Sequence, residues 1–246
     1  MAVLLEANGL NVSFDGFKAI NNLSVSIAYN ELRAIIGPNG AGKTTFMDIV
    51  TGKTKPDSGT ILWGKKNISL LRVSESKIVE LGISRKFQKP TLLETQTVFD
   101  NLMLSLKNPR NPISCLLYRI SSNDKKEIVN IAEEVNLGLK LESLAGELSH
   151  GQKQWLEIGM LLAQKPDLLL IDEPAAGMTA PERAKTIKLL KDLSNNHSVI
   201  VVEHDMEFVK ALDCRVTVLH EGSVLAEGSL DFVSKNKKVI DVYLGR

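Results

Sequence analysis

The stretch GPNGAGKT, residues 37–44, decides the fold of this 246-residue chain. It matches the pattern GxxxxGK[ST], follows a strand-like apolar run that ends at Ile36, and precedes a segment with helical character. Glycines in such a turn let backbone N–H groups point inward around phosphate oxygens, and the helix N-terminus adds positive potential. We therefore predict a phosphate-binding loop in which Lys43 reaches the terminal phosphates of a nucleotide and Thr44 ligates Mg²⁺. The predicted loop residues are Gly37, Pro38, Asn39, Gly40, Ala41, Gly42, Lys43, Thr44 and Thr45.

Two acidic residues follow a second apolar strand. Leu168–Ile171 is a continuous apolar run, which is typical of a parallel strand covered on both faces, and Asp172 and Glu173 come directly after it. Because ligands of open α/β sheets bind at the carboxyl ends of strands, we expect both acids at the phosphate site. Asp172 is predicted to hold Mg²⁺, directly or through water, and Glu173 to polarise the attacking water. No guanine-selective Asn-Lys-x-Asp sequence is present, which favours ATP.

Short strands are predicted on both sides of these motifs. Asn11–Phe14 and Leu23–Ile27 alternate apolar and polar residues as half-buried strands do, and Gly59–Trp63 has similar strand character. Val199–Val202 is another continuous apolar run, and residues 216–226 have the pattern of a hairpin. These features predict a nucleotide-binding α/β core.

A helical segment interrupts this core between residues 89 and 161. Thr97 and Asp100 have the spacing of a capping box at the start of an apolar run. Residues 108–112 contain two prolines and are predicted to form a loop. A further helix is predicted to begin near Thr179, back in the α/β part of the chain.

Composition limits the classes of function. The formal net charge of +1 gives no indication of nucleic-acid binding, and 43% hydrophobic with 24% charged residues is ordinary for a globular protein. Neither a signal peptide nor an apolar run of about 20 residues that would span a bilayer is found. We therefore expect a cytosolic protein unless a partner holds it at a membrane. Cys115 and Cys214 lack metal-binding spacing and are predicted to be buried thiols.

The stretch LSHGQ, residues 148–152, narrows the class of nucleotide-binding protein. Ser149 and Gln152 have the spacing of a capping box, so this stretch is predicted to begin a helix whose N-terminus attracts anions. It resembles the LSGGQ signature of the ABC ATPase family, with His150 in place of the first glycine. Gly151 remains, which keeps close backbone approach to a phosphate possible.

Other landmarks of this family appear in order along the chain. Gln88 resembles the glutamine that senses Mg²⁺ and the attacking water, and His204 resembles the switch histidine that contacts the γ-phosphate. Phe14 resembles the aromatic residue that stacks on adenine, although Phe17 is nearby and either side chain could belong to the core. Thr179 stands where many members of the family have aspartate, so a negative charge is lost there while the capping spacing is kept.

The resemblance covers essentially the whole chain and implies an α/β fold. It implies a P-loop NTPase core with a RecA-like parallel sheet, an N-terminal antiparallel β subdomain and an inserted helical subdomain. Residues 1–246 are then a single ABC ATPase domain. The core with its antiparallel β subdomain comprises residues 1–88 and 162–230, the helical subdomain residues 89–161, and a C-terminal tail residues 231–246.

The resemblance also implies partners. Two ABC ATPase subunits sandwich two ATP molecules, and the signature of each subunit contacts ATP held by the other; the second subunit is either another copy or a paralogue. Because the chain has one cassette and no predicted membrane span, separate permease subunits are expected, with a periplasmic substrate-binding protein as an indirect partner. The expected location is peripheral, at the cytoplasmic face of the inner membrane. Nucleic acid is not an expected partner.

Three segments bear on the transported substrate. Residues 149–159, 175–179 and 239–246 together resemble the ATP-binding subunits of urea importers. The branched-chain amino-acid importers are the nearest relatives and the first alternative. A soluble ABC ATPase in cofactor assembly and a regulatory nucleotide-binding module without turnover are the others.

Overall fold

The computed structural model describes residues 2–86, 92–107 and 120–244, which form two β-sheets with helices packed around them. The strands are β1 (Val3–Phe14), β2 (Phe17–Ala28), β3 (Leu32–Ile36), β4 (Ser58–Trp63), β5 (Ile68–Ser69), β6 (Ile83–Lys86), β7 (Leu168–Asp172), β8 (Ser198–Val202), β9 (Arg215–His220) and β10 (Ser223–Ser229). The helices are α1 (Lys43–Val50), α2 (Glu75–Glu80), α3 (Val98–Ser105), α4 (Ser122–Glu134), α5 (His150–Leu162), α6 (Ala180–Leu193), α7 (Met206–Leu212), α8 (Leu230–Val233) and α9 (Lys237–Leu244). None of the helices in these ranges is long and apolar enough to cross a membrane.

The phosphate loop and the two acids belong to a six-stranded sheet with the order β10-β9-β3-β8-β7-β6. The strands from β9 to β6 are parallel, and β10 pairs antiparallel with β9 at one edge. Strands β7 and β8 are buried along their whole length, as their continuous apolar runs predict. The register pairs Val202 with Ile35 on one side and with Asp172 on the other. The loops after β3, β7 and β8 therefore leave the same edge of the sheet, and the predicted parallel core is confirmed.

Alternation along β7 and β8 directs their side chains into two of the three buried clusters of the described residues. Leu170 and Ile200 pack in a cluster with α1 and the N-terminal sheet, whereas Leu169 and Ile171 pack in a second cluster with α3, α5 and α6. Burying one such side chain stabilises the fold by roughly 1.5–3 kcal/mol. Helix α1, which follows the phosphate loop, and helix α5, which begins within LSHGQ, thus pack against opposite faces of one sheet.

The N-terminal part forms a four-stranded antiparallel sheet with the order β2-β1-β4-β5. The strands predicted at Asn11–Phe14 and Leu23–Ile27 are parts of two strands of 12 residues each, so the predicted strands are too short. Irregular register between β1 and β2 disturbs the period-2 pattern on which the prediction depends. The antiparallel β subdomain itself is confirmed.

The inserted helical segment begins as the capping signal predicts. The Thr97 hydroxyl accepts from the backbone N–H of Asp100 at 3.0 Å, and the Asp100 carboxylate accepts from the N–H of Thr97 at 3.3 Å. The loop predicted at residues 108–112 and Cys115 lie outside the described residues. The subdomain boundaries at residues 89 and 161 stay a prediction. Helix α5, which crosses the second boundary, ends at Leu162.

Strand β6 and helix α2 were not predicted from the sequence. Strand β6 contains Ser84, Arg85 and Lys86, and all three are buried. The register places Arg85 beside Leu170 and Lys86 beside Ile171, so the two cations point to opposite faces of the sheet. Each has a carboxylate partner there, which makes the burial of charge tolerable. A strand filled with polar residues gives no apolar pattern from which to predict it.

Candidate nucleotide site

The phosphate loop turns between β3 and α1 through positions that require glycine. Gly42 precedes α1 with a φ of 99°, in the left-handed region. A Cβ on Gly37 would lie 2.4 Å from the carbonyl oxygen of Leu219, so no other residue fits against β9 there. The other end of the loop is tied by a hydrogen bond from the N–H of Gly222 to the carbonyl of Ala41, at 3.1 Å. The glycine positions and this hydrogen bond therefore hold the loop in the predicted conformation.

Lys43 lies over this loop. Its ammonium donates to the carbonyl oxygens of Gly37 and Pro38, at 2.6 and 3.0 Å. Burial lowers the pKa of Lys43, while the carboxylates of Asp172 and Glu173 raise it. The positive charge is thus held at the mouth of the loop and faces the two acids at the end of β7.

One cavity of about 340 Å³ joins most of the predicted residues. It is lined by Phe14, Phe17, Ala19, Asn39, Gly40, Ala41, Gly42, Lys43, Thr44, Thr45, Asp172, Glu173 and Val202. Pro38 lines an adjoining cavity with Phe17 and His220. Phe14 and Phe17 are 49% and 64% exposed, so both offer a ring face to this cavity and the choice between them stays open. Gln88 lies outside the described residues.

Asp172 has an unsatisfied carboxylate oxygen. The residue is buried, and its Oδ2 has no hydrogen-bond partner among the described residues. Burial raises the pKa of Asp172, and Arg85 is the strongest influence that lowers it. A buried oxygen without a partner is an uncommon feature and fits a ligand to a hard cation such as Mg²⁺. Within the described ranges no group of three or more His, Cys, Asp or Glu side chains could hold a metal; an ion shared with nucleotide phosphates requires no such group.

Glu173 and His204 meet at the edge of the cavity. His204 Nδ1 lies 3.6 Å from Glu173 Oε1, and both side chains are accessible. Glu173 has a φ of 47°, a left-handed conformation that costs a non-glycine residue about 1–3 kcal/mol. Its N–H is fixed to the carbonyl of Val202 at 2.9 Å. The strain is typical of functional positions and turns the side chain of Glu173 toward the site.

Glu203 is a residue for which the sequence analysis predicted no role. Its buried carboxylate accepts from the N–H groups of Ala175, His204 and Asp205, at 3.1, 3.1 and 3.4 Å. Burial raises the pKa of Glu203, and these three bonds oppose the rise. Glu203 thereby joins the loop after Glu173 to the loop that carries His204. The sequence signal that could have identified Glu203 is the position of an acidic residue directly after the apolar run of β8.

The signature stretch begins α5 as predicted. Ser149 Oγ accepts from the N–H of Gln152 at 3.2 Å, and the Gln152 side chain accepts from the N–H of Ser149 at 3.1 Å. His150 packs on Gly177, where an added Cβ would lie 3.1 Å from His150 Cδ2. The four residues Ser149, His150, Gly151 and Gln152 are absent from the described lining of the phosphate cavity. The single chain therefore does not bring them to its own phosphate loop.

A phosphate loop, an orphaned aspartate and an adjacent glutamate at one edge of a parallel sheet define a P-loop nucleotide-binding protein. A family model described as ABC transporter matches residues 20–176. The chain belongs to the ABC transporter family.

Curated relatives match over nearly the whole chain. The high-affinity branched-chain amino acid transport ATP-binding protein LivG of Escherichia coli (strain K12) is 32% identical over 257 residues, which is 98% of each protein. The BraF protein of Pseudomonas aeruginosa, with the same description, is 33% identical over 251 residues and 98% of each. The LivG protein is thus similar to this chain from end to end.

Solved structures agree with the fold. The ADP conformation of an ATP-binding cassette of an ABC transporter has a TM-score of 0.86 with 28% identity and covers 100% of both chains. A nucleotide-free ATP-binding cassette has a TM-score of 0.85 with 28% identity and covers 99% of this chain. The predicted fold class is confirmed, and the chain is an ABC transporter ATPase in which ATP hydrolysis is coupled to transport. The urea prediction gains no support from these relatives, which are branched-chain amino-acid transport proteins.

Proposed function

We propose that this chain is the ATP-hydrolysing subunit that energises a bacterial importer of branched-chain amino acids. The observation that carries this proposal is the end-to-end similarity to LivG and BraF, both described as high-affinity branched-chain amino acid transport ATP-binding proteins. Urea is the second candidate, because residues 149–159, 175–179 and 239–246 resemble urea-importer subunits. The ATP site cannot separate the two, since ATP-binding subunits do not contact the transported molecule.

ATP is held by the phosphate loop in this proposal. Lys43 gives up its bonds to the loop carbonyls and donates to the β- and γ-phosphates, and the loop N–H groups donate to the remaining phosphate oxygens. Thr44, Asp172 and Gln88 are the proposed Mg²⁺ ligands, of which Asp172 has the free oxygen required. Mg²⁺, when bound, neutralises charge that develops on the phosphates. Phe14 or Phe17 supplies the ring face for adenine.

Glu173 is the proposed base and His204 its neighbour at the γ-phosphate. Glu173 orients a water in line with the γ-phosphate, while His204 contacts the phosphate from the end of β8. Their 3.6 Å approach supports a joint action. Glu203 positions the loop after Glu173 and the loop that carries His204, because it accepts hydrogen bonds from three backbone N–H groups in these loops. Catalysis of this type depends on positioning and charge stabilisation rather than on covalent chemistry.

The second ABC ATPase subunit completes each site. Ser149, His150, Gly151 and Gln152 are proposed to bind ATP held by the partner subunit, because they form a capped helix N-terminus that does not line the chain's own cavity. Closure of two subunits then encloses the nucleotide and excludes water. The partner is a second copy or a paralogue.

A permease helix is proposed to dock in a groove of about 330 Å³ between the sheet and the helical segment. Exposed Val79 and Leu104 line the groove, and the buried charges of β6 lie at its base. The nearby apolar side chains of Leu92 and Phe99 pack against the hydrophobic core and do not line this groove. Docking there would place the chain at the cytoplasmic face of the membrane, with a periplasmic substrate-binding protein as an indirect partner.

Uptake of labelled leucine and labelled urea tests this proposal. A strain without the gene would receive either the intact chain or Glu173→Gln. Leucine uptake restored by the intact chain alone supports the proposal, and urea uptake restored alone selects the second candidate. Restoration of neither, with ATP hydrolysis present in the purified chain, would redirect the search to other transported solutes.

A further inference from the structure

The Glu182 carboxylate joins the signature helix α5 to the helix that follows Glu173. Its Oε1 accepts from the hydroxyl of Ser149 at 2.6 Å. Its Oε2 accepts from the N–H and the hydroxyl of Thr179, at 2.9 and 2.8 Å. One side chain therefore connects Ser149, which the proposed function assigns to the partner subunit's ATP, with the N-cap residue of α6.

The only proton of the Ser149 hydroxyl is already donated in this arrangement. A serine hydroxyl has one proton to donate, and here it goes to Glu182. The oxygen of the same hydroxyl accepts from the N–H of Gln152. Ser149 can therefore donate to a phosphate oxygen only after it releases Glu182.

Glu182 also lies where an anion is favoured. A Cβ added to Gly151 would be 2.6 Å from the carboxyl carbon of Glu182, so the carboxylate touches the first turn of α5. The helix N-terminus attracts negative charge. The pKa of Glu182 is lowered, chiefly by the hydrogen bond from Ser149 and then by those from Thr179, so the group is ionised at neutral pH.

Helix capping alone does not require the bond to Ser149. At the corresponding third position of α3 and α4 the chain has Asp100 and Asp124, and each reaches back to its own N-cap residue. Glu182 caps α6 in the same way with one oxygen. Its additional methylene lets the other oxygen cross to α5.

We propose that Glu182 is a positioning residue that holds the Ser149 hydroxyl in the free subunit and yields it to the partner subunit's ATP. An interaction present only in the open state lowers the apparent affinity for the ligand that closes the site. Glu182 would thereby set the ATP concentration at which two subunits close. This inference rests on the proposed role of residues 149–152 as the signature that binds the partner's ATP.

Two substitutions test the proposal in the transporter complex isolated through a tag on this chain. Glu182→Gln removes the negative charge, and Glu182→Asp keeps a capping acid that is too short to reach Ser149. For Glu182→Asp, the ATP concentration that gives half-maximal steady-state hydrolysis should fall by roughly fivefold, the effect of one net hydrogen bond. For Glu182→Gln it should fall by a smaller factor, because the amide oxygen can still accept from Ser149 but without the charge. The maximal rate should change less than the half-saturating concentration. Asp124→Asn removes the equivalent capping acid of α4 and should leave both parameters unchanged.

The outcomes separate this inference from the proposed function. Ordinary hydrolysis with an unshifted or raised half-saturating ATP concentration in the Glu182 variants would overturn this inference alone. Absence of hydrolysis in the unaltered complex, or full hydrolysis by Glu173→Gln, would overturn the proposed site and this inference with it. Thermal melting checks folding, and Glu182→Asp carries the test if loss of the capping acid unfolds Glu182→Gln.

Discussion

Lys86 Nζ lies 3.3 Å from Glu157 Oε2, and the two side chains are only 4% and 6% exposed. Lys86 is the last residue of β6, and Glu157 lies in the middle of α5. On the opposite face of β6, Arg85 pairs with Asp48 of α1 at 2.5 Å. One short strand thus links, through buried charges, the helix of the phosphate loop and the helix of the signature.

Replacement of one member of the Lys86–Glu157 pair should destabilise the chain. We expect Lys86→Met to lower the free energy of unfolding by about 3 kcal/mol, because the Glu157 carboxylate stays buried without its lysine. Urea unfolding followed by circular dichroism measures this loss. The double variant Lys86→Met with Glu157→Leu should recover much of it, since neither charge of the pair is then buried. Additive losses in the double variant would show that the pair is not coupled.

Glu173→Gln should separate binding from turnover. The amide keeps the shape of the side chain but cannot accept the proton of the attacking water. We expect ATP affinity to be retained and phosphate release to fall by roughly 100-fold or more. A malachite-green assay with Glu133→Gln, an exposed residue of α4, as the matched control measures the effect. Near-normal phosphate release would remove Glu173 from the role of base.

Lys43→Ala should weaken nucleotide binding. The ammonium is held over the phosphate loop by two carbonyls, and no other cation lines the described phosphate cavity. We expect the dissociation constant for ATP to rise by about tenfold or more, the effect of a lost charge-assisted hydrogen bond. Lys188→Ala, an exposed substitution on α6, is the control in the same filter-binding assay. Equal affinity of the two variants would contradict the role of Lys43.

The sequence was sufficient for the features that depend on local pattern. GPNGAGKT, the apolar run before Asp172 and the capping spacing of Ser149 predicted a loop, a strand end and a helix start, and each is found at that place. Register then decides which side chains meet, as with Glu173 and His204; a role was predicted for each of these residues, but their contact was not.

Features that depend on tertiary pairing could not be predicted in this way. Strand β6 is polar in sequence and is stable only because Asp48 and Glu157 receive its cations on opposite faces of the sheet. The bond from Ser149 to Glu182 joins residues 33 positions apart on two helices. Neither contact has a periodicity or a spacing that a single sequence displays.

The buried carboxylate of Asp172 should make the chain less stable than its neutral variant at neutral pH. Burial raises the pKa of Asp172, so its contribution to stability is fully present below the unfolded-state pKa of about 4 and is lost as pH rises through the folded-state pKa. Asp172→Asn removes this pH-dependent loss. We therefore expect a higher thermal midpoint than that of the unaltered chain at pH 7, with the difference shrinking as pH approaches 4. Mg²⁺-dependent ATP hydrolysis should be lost in the same variant, because the oxygen proposed to hold the ion is gone. A lower thermal midpoint for Asp172→Asn than for the unaltered chain at pH 7 would show that the neighbours Arg85 and Lys43 stabilise the Asp172 carboxylate by more than burial destabilises it.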